Sequence, residues 1–201
     1  MNLLDRACRW MAALAFAVPL AAGLTMTPTA AATNYPAPID DFGRFDSFPE
    51  TIGTYHRLEV TAFAPDMADF SIGYNSRPPD LDSTVTFYFY PHRYATEQDQ
   101  LASEERQVLA AHEGARVLAR RRVTLTRGTA IREATLVTFA YRQPRRFDRV
   151  KQDVSSQLLL VYRDKGIFMV RSTSPEAQGE AAEAAMLELA QRVDWESIPG
   201  R

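Results

Sequence analysis

The chain is poor in the residues that most enzymes and metalloproteins depend on. It has one cysteine, three histidines and two lysines. Cys8 precedes the apolar run Trp10–Leu24, whereas a lipid-anchoring cysteine would follow such a run directly. Once that leader is set aside no cysteine remains, which removes disulfides, thiol catalysis and thiolate metal sites together. His56, His92 and His112 include no pair four residues apart, so the HExxH arrangement is absent. Asp80-Leu81-Asp82 places two carboxylates at alternate positions but lacks the glycine and distal glutamate of a calcium loop. No GxSxG elbow, phosphate-binding GxxxxGK[ST] loop or GxGxxG turn occurs. Neither a metal nor any other cofactor is expected. A Ser–His–Asp arrangement assembled from distant segments stays open, because such triads are not contiguous. No nucleophile is singled out, and the expected role is non-enzymatic.

A second long apolar run is also missing, so no transmembrane span is expected after the leader. Arg6 and Arg9 precede the 15-residue run WMAALAFAVPLAAGL, and Thr29-Ala30-Ala31-Ala32 follows with small side chains. This is the pattern of a signal peptide, residues 1–32, cleaved after Ala32. The run is shorter than the ~20 residues of a spanning helix. Retention of the leader as an anchor is the alternative. Cleavage implies a periplasmic or secreted protein. It leaves an extended, proline- and acid-rich arm over 33–51 and a single α+β domain over 52–198.

Within that domain the period of the side chains alternates between strand and helix. Tyr55–Phe63 and Ala68–Asn75 read as strands around the turn Ala64-Pro65-Asp66. In Ser83–Tyr90, Val85, Phe87 and Phe89 share one face while Thr86, Tyr88 and Tyr90 share the other. Pro91 stops this strand, and Thr96-Glu97-Gln98-Asp99 has the form of a helix start. The spacing predicts a helix to about His112 with a thin apolar stripe of Leu101, Val108 and Leu109. Strands follow over Ala115–Thr126, Thr129–Arg142, Val154–Arg163 and Ile167–Ser172, with glycines marking two hairpin turns. Ser174-Pro175-Glu176 reads as the start of a last helix. Its apolar face would be Ala182, Ala185, Met186, Leu189 and Val193, with Glu180 and Glu183 outward and Trp195 closing it. The order is βββ-α-ββββ-α, an antiparallel-dominated sheet of about seven strands carrying two main helices.

That order, and the run LLLVYRDKGIFMVRSTSP leading into an alanine-rich helix, resembles the PsbP-like α/β/α sandwich over roughly residues 50–196. The likeness lies in topology and hydrophobic pattern, and no functional motif is matched. It implies a protein that docks onto other macromolecules.

Charge is segregated along the chain. Residues 33–115 hold 5 basic and 14 acidic side chains, 116–151 hold 11 and 2, and 152–201 hold 5 and 8. The basic segment contains the triplet Arg120-Arg121-Arg122, whose members alternate between sheet faces. It ends in RQPRRFDRVK, where a loop can aim several cations at once. Arg142, Arg145, Arg146, Arg149 and Lys151 are therefore the candidate contacts to an anionic partner. For an exported chain, that partner is another envelope protein or an anionic lipid or lipopolysaccharide surface. Nucleic acid is not expected, since the segment lacks the interleaved aromatics of single-strand binders. The competing explanation is internal neutralisation of the acidic N-terminal half, together with an arginine-rich codon usage. The second functional reading is a small-molecule carrier or enzyme. Its pocket would lie between the first helix and strand 83–90, with Tyr88, Tyr90, His92 and Arg93 at the mouth.

Overall fold

The computed structural model describes residues 48–64, 69–144, 150–164 and 166–193. Strands β1 (Thr51–Ile52), β2 (Tyr55–Ala62), β3 (Phe70–Ser76) and β4 (Ser83–Tyr90) precede helix α1 (Glu97–Ala111). Strands β5 (Arg116–Arg127), β6 (Ala130–Pro144), β7 (Lys151–Arg163) and β8 (Gly166–Pro175) follow, then a 3₁₀ turn (Glu176–Gln178) and helix α2 (Gly179–Arg192). All eight strands form one sheet in the order β1-β2-β3-β4-β8-β7-β6-β5. Every neighbouring pair is antiparallel. This is an α+β fold with the expected element order. The strand beyond the seven anticipated is the two-residue β1, too short to show a period.

Side-chain alternation gives the sheet two unlike faces. Val85, Phe87 and Phe89 of β4 lie in one core with Ile72, Tyr74, Leu136, Leu159, Phe168 and Val170. The Phe87 ring stacks on Phe168, and Phe48 meets both Phe87 and Phe89 edge-on. Helix α2 closes this side with Ala182, Met186, Leu189 and Ala190, followed by Val193. Phe48, from the end of the N-terminal arm, is fully buried in this core. Phe42, Phe45 and Trp195 lie outside the described residues.

One boundary and one side-chain orientation differ from the sequence reading. The last helix begins at Gly179 rather than at Pro175, because β8 continues in register with β7 through Ser155↔Ser174 and Val154↔Pro175. Sheet pairing overrides a local capping signal there. Glu183 does not face outward: its carboxylate accepts from Arg121 at 2.6 Å and from the Thr138 hydroxyl at 3.2 Å.

Helix α1 covers the other face. It starts as expected, with the Thr96 hydroxyl accepting from the Asp99 backbone N–H at 3.1 Å. Its seat is not the thin apolar stripe. The buried residues are Gln100, Glu104, Glu105 and Val108, while Leu109 is exposed. The helix ends at Ala111, and Gly114 takes the positive φ of 70° that turns the chain into β5.

Candidate functional site

Two regions carry the residues singled out by the sequence. The first lies under α1. Tyr90 is buried and donates its hydroxyl to the Glu104 carboxylate at 2.9 Å. Glu104 also accepts from the side-chain amides of Gln100 (2.7 Å) and Gln107 (3.2 Å). Burial, reinforced by the Glu104 charge, holds the Tyr90 phenol well above its ordinary pKa. Burial raises Tyr88 as well, and the Arg171 guanidinium partly offsets it. The Arg93 guanidinium sits 4.9 Å from the Tyr90 ring centroid and 3.8 Å from Asp69. His92 stacks on Tyr162 with ring centroids 4.3 Å apart, and Tyr162 donates to the Tyr94 carbonyl at 2.8 Å. Tyr88 and Tyr90 thus sit beneath the helix and His92 and Arg93 pack at its N-terminal approach. The interface between helix and strand is occupied by side chains.

The second region is the sheet end where α1 finishes and β6 and β7 meet. A groove of about 500 Å³ opens there, lined by Glu113, Gly114, Arg116, Ala140, Tyr141, Arg142, Lys151, Asp153, Val154 and Glu176. Tyr141 is buried at its floor and stacks on His112, 3.8 Å between ring centroids. Burial and the nearby Arg171 charge push the His112 imidazole below its ordinary pKa, which favours its neutral form. Of the predicted basic residues, Arg142 and Lys151 stand on this rim, Arg142 3.1 Å from Asp153 and Lys151 3.6 Å from Glu113. Both pairs are exposed and therefore weak, so either cation can exchange partners. Arg116 is exposed on the same rim and has no ion pair among the described residues. Arg145, Arg146 and Arg149, between the ends of β6 and β7, lie outside the described residues.

The arginine triplet is used differently. Arg120 grips Glu105 through two hydrogen bonds of 2.7 and 2.6 Å, and Arg122 pairs with Glu97, both on α1. Arg121 points to the opposite face and pairs with Glu183 of α2 at 2.6 Å. The three cations clamp both helices to one strand. For this part of the basic segment, internal neutralisation of acidic side chains holds.

Sequence reasoning did not find Glu104, Gln100, Arg171 or the His112–Tyr141 stack. The spacing of Gln100, Glu104 and Val108 marks one helical face, but a search for apolar periodicity passes over two amphipathic members of three. Among the described residues, no group of three or more His, Cys, Asp or Glu side chains could hold a metal. No described helix is long and apolar enough to cross a membrane.

No protein-family model matches the chain. No curated protein matches it in sequence. Among solved structures it is similar to a Pseudomonas aeruginosa protein of unknown function proposed to be a regulator. The two are 13% identical, over 76% of this chain and 88% of that one, with a TM-score of 0.44.

Proposed function

We propose that the chain is an exported, non-enzymatic binding domain of the PsbP-like sandwich type. It docks onto another protein of the cell envelope through the basic end of its sheet. The single observation that carries this reading is the coincidence of a groove with the basic segment. Arg116, Arg142 and Lys151 rim the groove, and the sequence stretch 142–151, whose two end residues stand on that rim, holds five basic residues and one acid. The arginines of the triplet already have carboxylate partners, whereas at this end Arg116 has no ion pair among the described residues and Arg142 and Lys151 are held only in exposed pairs. Exposed arginines steer association with an acidic surface and grip its carboxylates in pairs. The groove itself balances Arg116, Arg142 and Lys151 against Glu113, Asp153 and Glu176. It therefore suits a partner segment that brings its own charges of both signs rather than a uniformly anionic membrane.

The test is cross-linking capture of the tagged protein from its own envelope, beside an Arg145→Glu/Arg146→Glu/Arg149→Glu variant. A stoichiometric protein partner lost in the variant is the expected result. Equal capture by a variant of unchanged thermal stability would refute docking through this end. Association of the wild type with anionic vesicles, and not with protein, would move the assignment to a lipid or lipopolysaccharide surface.

A further inference from the structure

We infer that the sheet face bearing α1 also holds an oxyanion site, centred on Arg171. This site is distinct from the groove and independent of the docking reading. Strand register assembles it. Antiparallel partners on one face run His56–Asn75–Thr84–Thr173–Ser156 across β2, β3, β4, β8 and β7. The adjoining row is Gly73–Thr86–Arg171. The result is a polar shelf with one cation in its middle. Asn75, Thr84, Arg171 and Thr173 are partly exposed and His56 is exposed, so the shelf reaches solvent.

Arg171 is the cation of this shelf, and it has no ion pair among the described residues. Its neighbours on this side of the sheet are all matched: Arg120 with Glu105, Arg122 with Glu97 and Arg93 with Asp69. Arg171 is half-buried and, among the described residues, has only the Ser156 hydroxyl, 3.3 Å from Nη2, while its Nε–H is buried with no partner among them. Ser156 has nothing further to offer, since it also accepts from Thr173 at 3.2 Å and donates to the Ser172 carbonyl at 2.9 Å. Glu104, whose field reaches Tyr88 together with that of Arg171, is committed to Tyr90, Gln100 and Gln107. A guanidinium stays charged at any physiological pH. A half-buried cation among hydroxyls, with spare donors and no carboxylate, matches the donor geometry that binds phosphate, sulfate or carboxylate. Arg77, Arg106 and Arg116 also have no ion pair among the described residues, but they are exposed and solvated.

The reporters are built in, because the Arg171 charge acts on both Tyr88 and His112. A bound oxyanion would cancel part of that charge and let the His112 pKa rise. The experiment titrates the isotope-labelled full chain with sodium sulfate against sodium chloride of equal ionic strength, followed by NMR. Saturable shifts of the Arg171 Nε–H and of the Thr86, Ser156 and Thr173 amides are expected, with an upward move of the His112 titration. Both should vanish in Arg171→Gln and persist in Arg116→Glu/Arg142→Glu. Should Arg171→Gln fail to fold, Thr173→Val is expected to weaken sulfate binding several-fold. Glycerol 3-phosphate binding tenfold tighter than sulfate would assign an organic phosphate or headgroup, and equal affinity a bare ion. Shifts no different from those in chloride, or shifts that survive in Arg171→Gln, would overturn the site.

Discussion

Helices α1 and α2 lie on opposite faces of the same sheet and are held by different forces. Helix α2 presents Ala182, Met186, Leu189 and Ala190 to a face of phenylalanines and leucines. Helix α1 presents Gln100, Glu104, Glu105 and Val108 to a face of tyrosine, arginine, threonine and methionine. Apolar burial is non-directional and stabilises in proportion to the area removed from water. A buried hydrogen-bonded network adds little net stability when complete and costs much when one member is lost. One face thus supplies the apolar burial that stabilises the domain, while the other fixes geometry through buried hydrogen-bonded polar groups.

The largest expected effect lies on the α2 side. Phe87→Ala removes a fully buried ring that touches Phe48, Tyr74 and Phe168. It should lower unfolding stability by about 3–5 kcal/mol in denaturant titration. A loss below about 1 kcal/mol would break the assignment of stability to this face. Next comes Glu104→Ala, which removes the carboxylate acceptor of the Tyr90 hydroxyl, leaving it the weaker Met169 Sδ at 3.6 Å, and the acceptor of the Gln100 amide beneath α1. The expected cost is about 1–3 kcal/mol, with hydrogen exchange rising in α1 before α2. Glu104→Gln keeps an acceptor for Tyr90 and should cost less; an equal loss would mean that charge, and not hydrogen bonding, seats the helix.

Acidification sharpens the contrast further. Because the folded His112 pKa is depressed below its ordinary 6.5, the unfolded chain takes up that proton first. The associated stability is therefore fully present above pH 6.5 and is lost as the pH falls through and below that value, levelling off below the folded pKa. His112→Phe should flatten this part of the pH–stability curve, which thermal melts between pH 7.5 and 5 would register. An unchanged slope would place the titration elsewhere. The smallest effect is expected for Arg192→Ala. Its side chain is 57% exposed and that of its i,i+4 partner Glu188 62%, so despite a hydrogen bond of 2.6 Å the loss should be about 0.5 kcal/mol or less, and smaller still at high salt.

Much of the α2 side was legible in the sequence, because apolar period and burial coincide there. The alternation in Ser83–Tyr90 and the turn glycines Gly128 and Gly166, at φ of 55° and 122°, stand where local patterning puts them. The split of Arg120 and Arg122 from Arg121 followed from strand geometry alone. The start of α2 was misread because Ser174-Pro175-Glu176 is a sound local helix signal that β7 overrides by pairing. The α1 side was less legible. A polar seat has no compositional signature, and the partners of Glu104 and Arg171 come from strands far apart in sequence. The groove was unreadable for the same reason: it needs the end of α1, two strand ends and the 3₁₀ turn brought together. Only its basic rim could be anticipated, through Arg142 and Lys151.

Site-specific photo-crosslinking in the native envelope tests the docking account most directly. A crosslinker replaces Gln143, at the basic end beside the groove, or Gln98, exposed on the first turn of α1. A single discrete protein adduct from position 143, absent from position 98 and lost on Arg145→Glu/Arg146→Glu/Arg149→Glu, is the predicted result. Adducts of equal yield from both positions, or an adduct at 143 that survives the charge reversal, would contradict it.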